Sequence, residues 1–529
     1  MSRPSNRALL GGGILVAWLA GLGALAWREY LDPTRDRLAE AAARVSPVAL
    51  FYSAMQSGRQ IGYGSTVVDT TPTTIAVTEL LRVQLPVGGR TQPAELRSRA
   101  TLTRSLALEE FSLDLDAESG RVHTSGAWEG DSTFRFVVRT GAEPADTQRV
   151  HTVRPAYFPS GVGMALALFA PPAVGRELRL RVVDPVGLAV RQATVRFSAE
   201  TLFVLHDSAT FDSTAKRWRE ARPDTVRAWR LDPGAERVIV GGWVDAQGQL
   251  VRGTQLGTLE LERRPYEVAV ENWRIASPRA GAAVRPERDI LETTAIAARR
   301  RVAEGVPLLR VRLGGVNLSR YALAGPRQEL RGDTLIVRQE SPAALRGDYA
   351  LTGPGEMRRR FPRETSPEPL IESRDTAIMR AAIRAASGGA SWSRGAPTPE
   401  EAARRLVAWV HDSLAKRVTF GVPSARQVLR TRSGDCNEHT QLYVAMARAL
   451  GIPARVAAGL VYIDGKFYYH AWPEVWLREW VAVDPTTGQF PADAAHLRFV
   501  TGGLDRQAEL LDLIGRLRID VIQAGDTGK

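Results

Sequence analysis

A cysteine, a histidine and an aspartate in the last quarter of the chain have the residue types needed for nucleophilic catalysis. Cys436 is the only cysteine among the 529 residues, which excludes an internal disulfide and a multi-cysteine metal site. His470 and Asp484 follow it in chain order. A thiol that attacks a carbonyl carbon needs a base to take its proton, and the base needs a carboxylate to fix its orientation. The three residues therefore predict acyl transfer through a thioester.

The residues around Cys436 predict a helix that begins immediately after it. Ser433-Gly434-Asp435 has the composition of a turn and cap, residues 437–450 have helical apolar spacing, and Gly451 is a stop signal. Cys436 would then lie at the helix N-terminus, where the helix dipole lowers the pKa of a thiol. The backbone N–H groups of Cys436 and Asn437 are candidates for part of an oxyanion hole.

The residues after this helix predict a hairpin and a third strand. Residues 455–462 and 466–477 flank an Asp464-Gly465 turn, and residues 479–483 lead directly into Asp484. His470 is then in the middle of a strand, and Asp484 is at the end of the neighbouring one. Antiparallel pairing of these strands would bring the two side chains together.

Four segments carry a family resemblance: GDCNEH (434–439), RALGIPAR (448–455), HAWPE (470–474) and WVAVDPT (480–486). Together they resemble the transglutaminase-like (papain-like cysteine) superfamily. The resemblance covers about residues 375–500 and implies a papain-like α+β fold with a Cys436–His470–Asp484 triad and no cofactor. The segment ADAAHL (492–497) is also similar to bacterial exported members of the superfamily.

Other polar residues near the motifs leave alternatives open. His439 lies three residues after Cys436, so it is either a zinc ligand on the same helix face or a hydrogen-bonded helix residue. Glu474 either positions strands or contacts substrate. Gln427 is not assigned to the oxyanion hole. We expect no metal and no cofactor.

The N-terminal segment predicts contact with a membrane. Residues 8–27 carry no charge and are long enough to span a bilayer as a helix, and Arg3 and Arg7 favour a cytoplasmic N-terminus. This predicts a single-pass membrane protein with an exported C-terminal part. The alternative is a secreted or periplasmic protein whose signal peptide is cut after Ala24-Leu25-Ala26.

The remaining pattern divides the chain into five parts. Residues 1–30 are a cytoplasmic tip with the anchor or signal segment, and residues 48–345 read as antiparallel β structure with turn signals such as Asp245 to Gly248. Residues 346–374 form a linker, residues 375–500 the transglutaminase-like domain, and residues 501–529 a C-terminal tail. The predicted fold class is α+β: a transmembrane helix, a β-rich region and a papain-like domain.

Charge and motif content restrict the functions that we expect. The chain has 70 basic and 58 acidic residues, and its arginines are scattered instead of forming a stripe, which argues against nucleic acid as a partner. The predicted reaction is attack on an amide of a peptide, protein or cell-wall substrate outside the cytoplasm. Hydrolysis and transfer to an amine both remain open. The alternative is a non-catalytic envelope binding or scaffold protein that retains the fold.

Overall fold

The structure is a computed structural model that describes residues 45–169, 171–233, 241–255, 259–277, 280–351, 355–388, 396–418, 421–422 and 424–525. It is mostly β, with 47% strand and 20% helix. The predicted α+β fold class is therefore wrong. The reason is the length of the strands before residue 265, where one hairpin alone pairs Ala189–Asp212 with Arg217–Pro233.

The N-terminal half forms one antiparallel sheet of 14 strands, called the large sheet below. Its strand order is β8-β7-β6-β5-β4-β3-β2-β1-β14-β13-β12-β11-β10-β9. Its strands are β1 Val48–Gln56, β2 Arg59–Thr70, β3 Thr74–Val87, β4 Arg90–Thr103, β5 Leu108–Ala117, β6 Gly120–Glu129, β7 Thr133–Thr140, β8 Asp146–His151, β9 Glu177–Asp184, β10 Ala189–Asp212, β11 Arg217–Pro233, β12 Gly242–Val244, β13 Leu250–Gln255 and β14 Leu259–Arg264.

One face of the large sheet, called the inner face below, packs on the short helix α1 (Val162–Phe169). Buried residues alternate along its strands, as in β7, where Phe134 and Phe136 are buried and Arg135 between them is partly exposed. The segment after β8 crosses to the other edge, where the Tyr157 N–H donates to Arg181 O at 2.8 Å. The sheet therefore curves around the apolar cluster that contains Phe134, Phe136 and Val182.

The C-terminal half contains three further sheets. One has the order β15-β22-β21-β24 with β23 on β22, another has the order β17-β18-β16-β25, and β19 pairs with β20 in parallel. Their strands are β15 Ile296–Ala297, β16 Leu308–Gly314, β17 Gln328–Arg331, β18 Thr334–Arg338, β19 Ala415–Lys416, β20 Ser433–Gly434, β21 Ala454–Ile463, β22 Lys466–Trp476, β23 Trp480–Ala482, β24 His496–Thr501 and β25 Arg518–Ala524. Strands that precede residue 345 thus pair with strands from the C-terminal end.

Helices cover one face of the β22 sheet. The remaining described helices are α2 Asn272–Ala276, α3 Ile290–Thr294, α4 Glu356–Arg360, α5 Thr376–Ser387, α6 Pro399–Ser413, α7 Ala425–Thr431, α8 Cys436–Ala449 and α9 Leu504–Gln507. Asp375 caps α5, and Thr398 with Glu401 forms a capping box on α6. Helices α5, α6 and α8 share one apolar core with β21.

The predicted single-pass membrane topology needs correction. Residues 8–27, on which the prediction depended, lie outside the described residues. Within the described ranges, the search found no helix with the length and apolar character that crossing a bilayer requires. The described residues therefore do not bear out the predicted single-pass architecture.

Candidate active site

Cys436 is the first residue of α8, one position earlier than the helix start predicted from sequence. The Asp435 carboxylate accepts the Asn437 N–H at 3.0 Å, and the Glu438 carboxyl accepts the Asp435 N–H at 2.9 Å. A Cβ on Gly434 would lie 2.2 Å from Glu438 Cγ, so only glycine permits this close approach. The capping box thus fixes the backbone on both sides of Cys436.

The Cys436 thiol lies against β22. The side chain is half-buried, and the Ala471 backbone N–H hydrogen-bonds to its sulfur. Farther along α8, the Thr440 hydroxyl donates to Ala471 O at 3.1 Å, which holds the helix on the strand. The structure therefore places Cys436 beside the residue that follows His470.

Burial raises the pKa of the Cys436 thiol well above its usual value, and the nearby Asp435 carboxylate raises it further. The hydrogen bond from Ala471 acts in the opposite direction but does not compensate. The direction of the shift is opposite to the lowering expected from the helix N-terminus alone. The resting site favours the neutral thiol, which ionises when a base takes its proton.

The strand pairing predicted for His470 and Asp484 is confirmed, since β22 pairs antiparallel with β23 just before Asp484. His470 Nε2 lies 2.9 Å from Asp484 Oδ2. The Thr486 N–H and the Thr487 hydroxyl each donate to the Asp484 carboxylate at 2.8 Å. Asp484 is fully buried and its carboxylate is fixed from several sides.

A second histidine contacts Asp484, and sequence reasoning gave it no chemical role. His496 begins β24, and its Nε2 lies 3.2 Å from the same Oδ2 that His470 contacts. Its Nδ1 lies 3.0 Å from Asp493 Oδ1. Asp493 is fixed in turn by the backbone N–H groups of Gly305 and Ala495, each at 3.0 Å. The site is thus a chain of four buried groups: His470, Asp484, His496 and Asp493.

These contacts shift the pKa values of the buried groups. Burial alone would raise the pKa of Asp484, but the charge and hydrogen bonds of His470 and His496 lower it well below its usual range. Burial would lower the pKa of His496, but its bonds to Asp484 and Asp493 outweigh that effect and raise it. Asp484 therefore remains ionised, and His496 keeps its proton to a higher pH than an ordinary histidine.

The other candidate residues lie away from this chain of groups. His439 Nδ1 contacts Asp435 O at 2.6 Å, and burial lowers the pKa of the ring. Among the described residues, the group with converging metal-ligand atoms is His470, Asp484 and His496, and it contains neither Cys436 nor His439. The zinc alternative built on Cys436 and His439 therefore has no support.

Glu474 and Gln427 hold the fold together. Glu474 is buried between Arg455 at 2.7 Å and Arg498 at 3.0 Å, an ion-pair network that joins β21, β22 and β24. Glu474 therefore positions strands. The Gln427 amide donates to Ser119 O in the turn between β5 and β6, consistent with leaving it out of the oxyanion hole.

The site thus combines a cysteine at the N-terminus of a helix packed on an antiparallel sheet with a histidine on β22 and an aspartate just after β23. Residues 389–485 match the family model of the transglutaminase-like superfamily, which ends one residue after Asp484. The chain therefore contains a transglutaminase-like domain, and the resemblance recognised in its motifs is confirmed.

Solved structures give weaker similarities. A candidate cysteine protease from Cytophaga hutchinsonii is 14% identical, with 42% of this chain and 89% of that chain covered and a TM-score of 0.28. The periplasmic domain of TgpA from Pseudomonas aeruginosa, bound to ethylmercury, is 19% identical, with 40% and 88% covered and a TM-score of 0.21. A beta-barrel-like protein from Brucella abortus is 11% identical, with 42% and 96% covered and a TM-score of 0.27. No curated protein matches the chain significantly.

Proposed function

We propose that the transglutaminase-like domain catalyses cysteine-dependent cleavage of an amide in a peptide, a protein or the cell wall. Cys436 is the nucleophile, His470 is the general base and acid, and Asp484 orients the His470 ring. The observation that carries the proposal is the 2.9 Å contact between His470 Nε2 and Asp484 Oδ2 beside the helix that begins at Cys436. This contact leaves the other ring nitrogen, Nδ1, for the thiol proton.

In the first step the Cys436 sulfur bonds to the carbonyl carbon while its proton moves to His470. The proton then passes to the leaving amine as the carbon–nitrogen bond breaks, which leaves a thioester on Cys436. Water attacks the thioester with His470 again taking a proton, and the thiol and a carboxylic acid are regenerated. The Cys436 backbone N–H, which has no acceptor within the first helical turn, is the candidate donor to the oxyanion.

The Asn437 N–H is less suited to that role. It donates to the Asp435 carboxylate at 3.0 Å, and a negative charge beside a developing oxyanion opposes the stabilisation. This leaves Cys436 as the better supported of the two backbone donors considered from sequence.

A small activated ester tests the reaction class without knowledge of the substrate. p-Nitrophenyl acetate should release nitrophenolate and leave an acetyl group on the protein, detectable by intact mass spectrometry. Because Cys436 is the only cysteine, a thioester can form at no other residue. The Cys436→Ala variant should form no thioester, while Gln427→Ala, whose amide bonds to Ser119 O and not to the His470–Asp484 pair, should react like the parent chain. Cleavage of peptide and cell-wall amides, with and without an added amine, then identifies substrate and acceptor.

A non-catalytic binding or scaffold role is the second candidate. The observation that favours it is the raised pKa of the Cys436 thiol, since a neutral thiol is a poor nucleophile. Under this alternative, p-nitrophenyl acetate and iodoacetamide react slowly with Cys436, and His470→Ala has no effect on either rate. Under the catalytic proposal, His470→Ala slows acetylation.

A further inference from the structure

The inner face of the large sheet carries a cavity of about 320 Å³ that Cys436 does not line. The cavity is lined by five residues that pair with one another across the neighbouring strands β1 to β5: Leu50, Thr66, Glu79, Ser98 and Leu113. Helix α1 and the turn after β12 close the cavity, and they approach so closely that a Cβ on Gly248 would lie 2.0 Å from Gly163 O. The cavity is thus bordered by regular, tightly packed elements and is partly open to solvent.

The walls of the cavity are mainly aliphatic. Leu50, Leu81, Leu96 and Leu113 all line it, yet each keeps part of its surface accessible. Protein cores normally close on apolar side chains with few voids larger than a water molecule. Partly accessible leucines on the inner face therefore indicate space that the described residues do not fill.

One carboxyl group interrupts the apolar lining. Glu79 accepts a hydrogen bond from Ser98 Oγ at 2.9 Å and is also bonded by Ser160. Burial raises the pKa of Glu79, although both serine contacts oppose the rise. Neither this cavity nor the one beside it is lined by an arginine or lysine from the described residues. A bound carboxylate or phosphate would therefore find no cationic partner there.

A second cavity of about 380 Å³ adjoins the first, because Leu96, Leu113 and Pro185 line both. It extends to the transglutaminase-like domain, where Gln441 forms part of its wall. Gln441 is on α8, is only 6% exposed, and its side-chain oxygen has no hydrogen-bond partner among the described residues. An unpaired buried amide oxygen costs about 1–3 kcal/mol unless a ligand or water donates to it.

We propose that the two adjoining cavities form one binding site for an uncharged amphiphile, a molecule with an aliphatic chain and a hydroxyl or amide group. The leucine walls take the chain, and Glu79 at one end and Gln441 at the other hydrogen-bond to polar groups. Both volumes lie in the range of about 300–1,000 Å³ that is usual for small-molecule sites. The site is separate from Cys436, so it stands or fails independently of the proposed activity.

Uptake of the fluorescent probe N-phenyl-1-naphthylamine by the full chain tests the proposal, with 1-dodecanol and dodecanoate as competitors. We expect saturable uptake, and displacement by 1-dodecanol at a concentration at least tenfold lower than that of dodecanoate. Leu96→Trp and Leu113→Trp fill the space shared by the cavities and should weaken binding at least tenfold. Leu202→Trp is the matched control, since Leu202 is 63% exposed on β10. Cys436→Ala should bind like the parent chain.

A tryptophan variant that shows no melting transition has not folded and cannot test the proposal. Two variants with side chains of nearly the same size as the original then replace it. Glu79→Leu should weaken 1-dodecanol binding about fivefold and leave probe binding unchanged, as expected for loss of one hydrogen bond. Gln441→Leu should do the same for dodecanamide. Absence of saturable uptake would overturn the proposal. The proposal would also be overturned if Leu96→Trp and Leu113→Trp bound the probe as tightly as the control Leu202→Trp.

Discussion

Replacing His496 with glutamine should raise the pH at which the proposed reaction begins to fail. His496 is fully buried, and its bonds to Asp484 and Asp493 raise its pKa, so the ring carries positive charge in the acidic range. The centroids of the His470 and His496 rings are 5.9 Å apart. A positive charge at that distance opposes protonation of His470, which must be neutral to take the thiol proton. Removing the charge makes protonation of His470 easier.

The size of the effect follows from that distance. Two unit charges 5.9 Å apart interact by about 3 kcal/mol at an effective dielectric constant of about 20, and by about 0.7 kcal/mol in bulk water. The acid limb of the kcat/KM profile should therefore move to higher pH by between about 0.5 and 2 units. The variant should also lose about 3–5 kcal/mol of stability, because Asp493 is left buried without its charged partner.

The assay is hydrolysis of p-nitrophenyl acetate as a function of pH, with melting temperature measured in parallel. Thr487→Val is the matched control, since it removes a 2.8 Å hydrogen bond to the same Asp484 oxygen without changing charge. Its acid limb should stay where the parent chain has it, although kcat falls. An unmoved acid limb in His496→Gln, or an equal shift in both variants, would refute the electrostatic role of His496.

Three further predictions concern the same region. Cys436→Ala should abolish thioester formation and His470→Ala should cost nearly as much, with the double variant no worse than either, as single-turnover acetylation will reveal. Asp484→Asn should lose most stability relative to the parent chain above about pH 4. The folded-state pKa of Asp484 is depressed, so its stabilisation is complete above the unfolded-state pKa of about 3.9 and disappears as pH falls through the folded value. The melting temperatures of the parent chain and of Asp484→Asn should therefore converge as the pH is lowered from neutral to acidic. A difference that stays constant with pH would contradict the depressed pKa of Asp484. Gly434→Ala should destabilise the chain by about 1–3 kcal/mol in denaturant titrations, because its Cβ meets the buried Glu438 side chain at 2.2 Å. Gly314→Ala is the matched control and should cost less, because Gly314 does not have a positive φ and its Cβ would meet no atom within 4 Å.

The positions of Cys436, His470 and Asp484 were predictable because each depends on local signals. The capping residues and apolar spacing fix the start of α8, and the Asp464-Gly465 turn fixes the register of β21 and β22. His496 was not predictable in the same way. Its contact with Asp484 depends on β24 pairing with β21, a pairing that no turn or spacing in the sequence specifies.

The pKa of the thiol also depended on tertiary packing. A helix N-terminus alone favours a thiolate, but the capping box that forms this N-terminus places the Asp435 and Glu438 carboxyl groups beside Cys436. Burial raises the pKa of Glu438 to about 9, so this carboxyl is largely neutral at pH 7. The sign of the shift at Cys436 therefore comes from burial and Asp435 together, and sequence shows the carboxylate but not the burial.

Residues far from the motifs in the sequence also hold the site in place. They belong to residues 48–345, which the sequence pattern predicts to be a separate β-rich region. Arg327 and Glu340 form a buried ion pair at 3.2 Å, each side chain 1% exposed. Glu340 accepts the Ala482 N–H at 2.9 Å, in the strand that leads to Asp484, while Arg327 donates to Asp493 O at 2.6 Å. One ion pair thus holds both the strand before Asp484 and the loop that carries the partner of His496. Because removing one partner of such a pair leaves a buried charge uncompensated, the segment around residues 327–340 is part of the structure that positions the site.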